Sequence, residues 1–196
     1  MRLKGVVAVD NEPLYDVLSL PSSLSAGEYC FFTVPIGGTI ASAINSSAVK
    51  SRCETNLTNA GRLPEPERFE ILAFRLVFDQ GANAADIGKI LNRSYFEIRV
   101  GGQTTAMHRC PTRVITSGAG ILSSASGAAG VTQSLGLPVP QAVLTFSPDT
   151  TVVIELNENF SVCLVVCDAQ SLSGGSAAIP VMCVLDGYHA KGVRKG

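Results

Sequence analysis

The sequence predicts an all-β fold in a single domain. Nine segments are rich in β-branched or aromatic residues and end near Gly, Pro, Asn or Asp, as β-strands do. The chain has 196 residues, which is enough for one well-filled domain and too few for two comfortable ones. Charged residues make up only 16% of it, against roughly a quarter in ordinary soluble domains. Little of the surface is therefore expected to face free solvent.

The predicted strands occupy most of the chain, and one short helix interrupts them. Apolar and polar residues alternate cleanly from Tyr95 to Val100, which is typical of a strand with one buried face. The helix is predicted over Ala84–Leu91, where Ile87 and Leu91 have helical spacing. The predicted strands are Tyr29–Val34, Phe69–Phe78, Tyr95–Val100, Thr104–Arg109, Arg113–Thr116, Ala142–Phe146, Thr151–Leu156, Phe160–Cys167 and Ile179–Leu185.

The longest predicted strand, Phe69–Phe78, is apolar on both faces. Under strict alternation one face carries Leu72, Phe74, Leu76 and Phe78, and the other carries Phe69, Ile71, Ala73, Arg75 and Val77. A sheet with one solvated face has polar residues on that face, so the second face needs cover from this chain or from a neighbouring subunit. The low charge favours the neighbour. Because Arg75 is the only charge among these residues, its face is predicted to be the subunit interface.

A long loop rich in Gly, Ala and Ser is predicted from Ile115 to Pro140. It has almost no charge and no clear period, which is unusual for a solvated linker. We expect this loop to pack against a partner. Its large apolar residues, Ile121, Leu122, Val131 and Leu135, complete the set of candidate interface residues.

The domain is predicted to span residues 26–190, between two terminal segments. Residues 1–25 are interpreted as an arm that reaches a neighbour. Residues 191–196 form a basic tail with Lys191, Arg194 and Lys195, which either faces the genome or an internal membrane or is simply solvated. The apolar stretch before Asp10 is short for a signal peptide, and no apolar window has the length to span a bilayer. A net charge of −1 argues against a dedicated nucleic-acid binder.

The six cysteines show no CxxC pair and no zinc-knuckle spacing, so no metal site is predicted. Cys163 and Cys167 share one face of a predicted strand about 13 Å apart, too far to bridge one another. The favoured interpretation is buried thiols in a reducing cytosol. Disulfides to Cys30 or Cys53 are the alternative.

No catalytic constellation is evident. The chain has two histidines and no GxSxG elbow, and His108 and Cys110 are about 6–7 Å apart as neighbours on one strand face. Gly118 and Gly120 lack the rest of a phosphate-binding motif and its βαβ context. We therefore expect no enzyme activity and assign no catalytic, cofactor-binding or metal-binding residue.

Several segments in order resemble the jelly-roll capsid proteins of tailless icosahedral bacteriophages. They are TNLTNAGRLPEPERFEILAFRLVF, SYFEIRVGGQT, CPTRVITSGAG, FSPDTTVVIELNENFSVCL and IPVMCVLDG, within Thr55–Gly187. The resemblance implies an antiparallel, eight-stranded, upright jelly-roll sandwich whose copies form trimers or pseudo-hexameric capsomers. It also implies other capsid proteins as partners, no small-molecule substrate, synthesis in the host cytoplasm and a final place in the virion.

Two other classes compete with a capsid subunit. A minor structural protein or a receptor- or carbohydrate-binding jelly roll would be expected to cluster exposed aromatics, whereas this chain has no Trp and four scattered Tyr. A cupin-type enzyme holds a metal with several histidines, whereas this chain has two without an HxH pair. The sequence thus favours a self-assembling shell protein.

Overall fold

The computed structural model describes residues 6–39, 49–78, 84–101, 107–114, 121–124, 131–133, 144–146, 151–172 and 178–192. These residues are mostly antiparallel β-strand, with one α-helix, α1 (Ala84–Asn92), and a 3-10 turn at Thr112–Val114. The strands are β1 (Val6–Asp10), β2 (Leu14–Leu20), β3 (Ser23–Leu24), β4 (Gly27–Phe31), β5 (Arg68–Phe78), β6 (Ser94–Val100), β7 (His108–Pro111), β8 (Ile121–Ser124), β9 (Val131–Gln133), β10 (Leu144–Thr145), β11 (Val152–Ile154), β12 (Phe160–Val166), β13 (Gln170–Ser171) and β14 (Ile179–Gly192). The all-β prediction is confirmed.

The larger sheet is built around β14 and β5, which pair with each other along most of their length. The other edge of β14 pairs first with β2 and then with β1. The other edge of β5 pairs with β10 and β11. Counting β1 with β2 and β10 with β11, this layer is four strands wide.

The smaller sheet has the order β4, β12, β6, β7, and all of its pairs are antiparallel. Two short antiparallel pairs, β3 with β13 and β8 with β9, stand apart from these layers. The β8–β9 pair lies inside the segment predicted as an irregular loop, so that prediction is wrong for these seven residues.

The inner faces of the two sheets form one hydrophobic core. Phe74 of β5 and Phe96 of β6 meet with ring centroids 5.1 Å apart, and Phe31 of β4 packs against the same Phe96 at 6.0 Å. All three side chains are essentially fully buried. Burying a side chain of this size contributes roughly 1.5–3 kcal/mol, so the core explains why the two sheets stay together.

Helix α1 connects β5 to β6 and packs its apolar side on the core. Ile87 and Ile90 are each 2% exposed. The predicted helix is therefore confirmed. The inward pair differs, because Ile90 is buried and Leu91 is only partly buried against the core. Among the described residues, no helix is long and apolar enough to cross a membrane.

The described part of the segment predicted as an N-terminal arm, residues 6–25, contributes three strands to the sheets. Residues Leu14 to Leu20 form β2, which pairs with β14 from Leu185 back to Ile179. Both Leu14 and Leu20 are buried in the core. The domain therefore does not begin at residue 26. The missed strand β2 lies between Pro13 and Pro21, which interrupt the segment.

A buried ion pair anchors β2 to the loops around it. Lys50 donates to the Asp16 carboxylate at 2.6 Å, and the backbone amide of Phe32 donates to the same carboxylate at 2.7 Å. Both charged side chains are at most 3% exposed. Phe32 has a left-handed φ of 63°, which turns the chain away at the end of β4. Removing either charge would leave the other buried and unpaired.

Several predicted strands differ in their limits. The one predicted over Thr104–Arg109, for example, is described as β7 over His108–Pro111, and residues 102–106 lie outside the described residues. The segment predicted as strand at residues 113–116 begins in the 3-10 turn Thr112–Val114, and residues 115–116 lie outside the described residues. The first predicted strand ends at Phe31. The last continues beyond Leu185 to Gly192 and so includes part of the predicted basic tail.

Candidate subunit interface

A β-bulge in β5 determines which of its side chains face outward. In the β5–β14 ladder, Ala73 pairs with Asp186 and Ile71 pairs with Gly187, which leaves Leu72 as an extra residue on β5. An extra residue reverses the alternation of faces beyond it. As a result, the inward side chains are Phe69 and Ile71 before the bulge and Phe74, Leu76 and Phe78 after it, each at most 2% exposed.

Strict alternation therefore assigned two candidate residues to the wrong face. Phe69 and Ile71 are both 0% exposed in the chain's own core, so their side chains do not lie on the outer surface. Ala73, Arg75 and Val77 do lie on the outer face of the larger sheet, and all three are half-buried. A role for these three in a subunit interface stays a prediction.

The outer face of the larger sheet around Arg75 is largely apolar. Its strand neighbours on β14 and β2 supply further side chains of the same kind, namely Met182, Val184, Tyr15 and Val17. Val184 lies in register between Tyr15 and Arg75 and is only 5% exposed, although it points away from the core. We name this set, Tyr15, Val17, Ala73, Arg75, Val77, Met182, Val184 and Asp186, the outer apolar face.

The charge on the outer apolar face is neutralised locally. Arg75 donates to both carboxylate oxygens of Asp186, at 2.8 Å from Nε and 3.3 Å from Nη2. A half-exposed pair of this kind adds little to folding stability. Because the two hydrogen bonds pair the Arg75 guanidinium with a carboxylate on the same face, a second protein surface could cover Arg75 without burying an unpaired charge.

A small hollow lies on the same sheet beyond the outer apolar face. Its volume is about 140 Å³, and its walls are Val9, Arg68, Glu70, Tyr188 and Ala190. Val9 and Tyr188 are 60% and 46% exposed. Pockets for small organic ligands usually measure roughly 300–1,000 Å³, so this hollow has room for a single side chain from another protein surface.

The outer face of the smaller sheet has the opposite character. Arg99 bridges Glu28 and Glu97, and Arg109 donates to Glu97 at 2.6 Å, so four charged side chains form one row. The Glu97 side chain is only 3% exposed beneath the two arginines. Burial opposes its ionisation, but the hydrogen bonds from Arg99 and Arg109 outweigh burial and hold the pKa of Glu97 below its ordinary value. The charged side chains of this face are compatible with exposure to solvent.

A disulfide lies beside the charged row. Cys30 of β4 and Cys163 of β12 are register partners, and their sulfurs are bonded. The favoured prediction of thiols is thus wrong for this pair, and the alternative of a disulfide to Cys30 is confirmed. Short-range spacing could not reveal it because the two cysteines are 133 residues apart.

The two free cysteines that are shielded from solvent, Cys110 and Cys183, are poor nucleophiles. Burial raises the pKa of Cys110 to about 11 and the pKa of Cys183 well above its ordinary value. Cys53 and Cys167 are exposed. His108 stacks edge-on with Phe146 at 4.7 Å. His108 thus packs against an aromatic ring, and Cys110 packs against the core.

The loop candidates are only partly described. Ile121 and Leu122 lie in β8 and Val131 begins β9, so the backbone places them in one antiparallel hairpin. Leu135 lies outside the described residues, as do Arg194 and Lys195 of the predicted tail. Their proposed contacts stay predictions.

No known family model, curated protein or solved structure matches this chain. The function therefore has to be argued from the strand order and the surfaces described above.

Proposed function

We propose that this chain is a capsid subunit with a jelly-roll fold, which assembles with copies of itself into the icosahedral shell of a tailless bacteriophage. The observation that carries the proposal is the order of its strands. Eight strand positions are divided between the two layers, four in each, namely β2, β4, β5, β6, β7, β10 with β11, β12 and β14. The larger sheet has the order first, eighth, third, sixth, and the smaller has second, seventh, fourth, fifth.

These positions pair as the strands of one long antiparallel hairpin would pair if the hairpin were then rolled up. The fourth strand pairs with the fifth, the third with the sixth, the second with the seventh and the first with the eighth. Rolling such a hairpin brings the eighth strand beside the third and the seventh beside the fourth, as observed. This pairing supports a jelly roll, which is built from two Greek keys and which viral capsid proteins share with lectins and cupins.

The surfaces favour a shell protein among these classes. A capsid subunit needs one broad side that another copy can cover and another side that tolerates water. The outer apolar face suits the first role, because its one ion pair is internally matched. The charged row on the smaller sheet suits the second. Self-assembly into trimers or pseudo-hexameric capsomers, contact with other capsid proteins and location in the virion all follow from this proposal.

Assembly is the direct test. The purified chain is examined by analytical ultracentrifugation and negative-stain microscopy over a range of concentrations. We expect trimers or larger shells that grow with concentration. A stable monomer at high concentration would instead favour the alternative, a non-catalytic minor structural or receptor-binding module.

A variant pair locates the contact. Val77→Asp places an unpaired charge on the outer apolar face and should abolish assembly while the chain stays folded. Val114→Asp makes the same change at an exposed valine outside that face, 49% exposed, and should assemble normally. Normal assembly of Val77→Asp would remove this face from the proposal.

A further inference from the structure

We propose that Asp10, Glu12 and His189 form a site for a divalent transition metal, with Zn²⁺ as the best-fitting ion. Each of these residues offers one ligand atom, and the three atoms lie within 4.8 Å of one another. Asp10 and His189 are register partners in the β1–β14 ladder, and Glu12 follows two residues after Asp10. The site does not depend on the proposed capsid function.

The hydrogen bonding of the His189 ring supports a metal site independently of the distances between the three ligand atoms. The residue is only 5% exposed, and its Nδ1 atom is buried with no hydrogen-bond partner among the described residues. A buried polar atom without a partner costs about 1–3 kcal/mol, so native proteins rarely leave one unexplained. A metal bond would satisfy this nitrogen.

Glu67 prepares the ring for such a bond. Its carboxylate lies 2.9 Å from Nε2 of His189. Because an ionised carboxylate can only accept, Nε2 carries the proton and the lone pair of neutral imidazole is on Nδ1. Metal-binding histidines commonly donate their other ring N–H to a carboxylate, which fixes the tautomer and strengthens the ligand. Phe69 packs edge-on against the ring at 5.7 Å and limits its rotation.

The donor set indicates the class of metal. One imidazole and two carboxylates suit Zn²⁺ and related first-row ions, whereas Ca²⁺ and Mg²⁺ prefer oxygen ligands alone. Three protein ligands leave one tetrahedral position for water or another donor.

The ammonium group of Lys191 occupies the position between the carboxylates where a metal ion would bind. Nζ of Lys191 lies 3.2 Å from Asp10 and 2.5 Å from Glu12, so its ammonium bridges the two carboxylates. Two carboxylates therefore flank this one ammonium, and a third, that of Glu67, contacts the neighbouring His189 ring. The Lys191 side chain is 36% exposed. We infer that a metal ion displaces it, so the lysine competes with the metal.

The test is isothermal titration calorimetry of the untagged, oxidised protein with Zn²⁺. Cys53→Ser and Cys167→Ser form the background, because these exposed thiols would bind zinc on their own. We expect one Zn²⁺ per chain. Asp10→Asn and Glu12→Gln should each weaken binding at least about tenfold. Lys191→Met should tighten it, because the competing cation is gone.

Asp168→Asn is the matched control. This exposed aspartate pairs with Arg93 and, within the described part of the chain, belongs to no cluster of this kind, so its replacement should leave zinc affinity unchanged. The proposal would be overturned by equal weakening in Asp168→Asn and Asp10→Asn, by a Lys191→Met variant that binds no more tightly, or by Ca²⁺ binding as tightly as Zn²⁺. These outcomes are readable without any assembly assay.

Discussion

The ring of Phe74 lies 5.1 Å from the ring of Phe96, at an interplanar angle of 60°, and this contact joins the larger sheet to the smaller one. Both rings are at most 1% exposed. Offset, tilted aromatic pairs of this kind add to the stability that burial alone provides. The pair therefore lies at the centre of what holds the two layers together.

Phe74→Ala should lower the free energy of unfolding by about 3–5 kcal/mol, because it removes the ring and leaves a cavity between the sheets. Tyr95→Ala is the control, since Tyr95 precedes Phe96 but is only half-buried on the opposite face. It should cost about 1 kcal/mol or less. Guanidinium denaturation followed by circular dichroism measures both, and equal losses would show that Phe74 is not a central contact.

Gly187→Ala should destabilise the chain by at least about 1–3 kcal/mol. A Cβ atom at Gly187 would lie 2.0 Å from the carbonyl oxygen of Glu70 and 2.9 Å from the Phe69 ring. The bulge would have to open to make room. Gly88→Ala is the counterpart, because a Cβ at Gly88 in α1 meets nothing within 4 Å. It should stabilise the helix by about 0.5–1 kcal/mol. Thermal melts of the two variants should therefore shift in opposite directions.

Ile71→Asp should prevent folding, because it places an unpaired carboxylate in the core. Strict alternation leads to the opposite expectation, a folded subunit that assembles poorly. The bulge at Leu72 decides between them, since it turns Ile71 inward. Far-ultraviolet circular dichroism is the measurement, with Val77→Asp on the outer face as the folded control. A cooperative melt of Ile71→Asp would mean that the bulge is absent.

Cys30→Ala combined with Cys163→Ala should cost about 2–5 kcal/mol under non-reducing conditions, because the bond restricts a long loop of the unfolded chain. The control is Cys53→Ala with Cys167→Ala, which changes two exposed cysteines and should have little effect. Peptide mapping by mass spectrometry should recover Cys30 linked to Cys163. Recovery of both as free thiols from unreduced protein would contradict the pairing.

Acid should destabilise the native protein partly through Glu97. The pKa of Glu97 in the folded chain lies below its ordinary value of 4.5, although burial opposes this, because Arg99 and Arg109 favour the carboxylate. A lowered pKa gives stability that is present above 4.5 and is lost as the pH falls through the folded value. Glu97→Gln should therefore show a flatter decline in stability from about pH 7 to about pH 3. A decline as steep as in the unmodified protein would remove Glu97 as a cause.

The sequence predicts most of the long strands well because their burial pattern is local. The limits of β6 and of β12 agree with the prediction within one residue, since each has apolar residues at every second position. The face of Ile71 could not be predicted, because the extra residue at Leu72 depends on how β14 pairs. The end of β14 was missed for a different reason. Asp186 and Gly187 are typical of a strand end, so the sequence predicts that the strand stops before them.

The candidate sites were predictable only in part. The shared outer face of Ala73, Arg75 and Val77 was predicted correctly because they occupy alternate positions on one strand. The Cys30–Cys163 bond and the Asp10–His189 cluster join residues that are far apart in sequence. Their proximity is a property of strand order, which spacing along the chain does not contain.

The central position of β14 affects how the chain is made. β2 and β5 are synthesised before β14, yet each has an edge that, as far as the structure describes the chain, pairs with β14 alone. Roughly 100 residues separate β5 from β14. At a synthesis rate of about 5–20 residues per second, the β5 edge that pairs with β14 stays unpaired for about 5–20 s. Until then, nascent chains on one messenger expose matching strand edges to each other. Translation speed across this interval thus sets how long each new chain is open to mispairing with its neighbours.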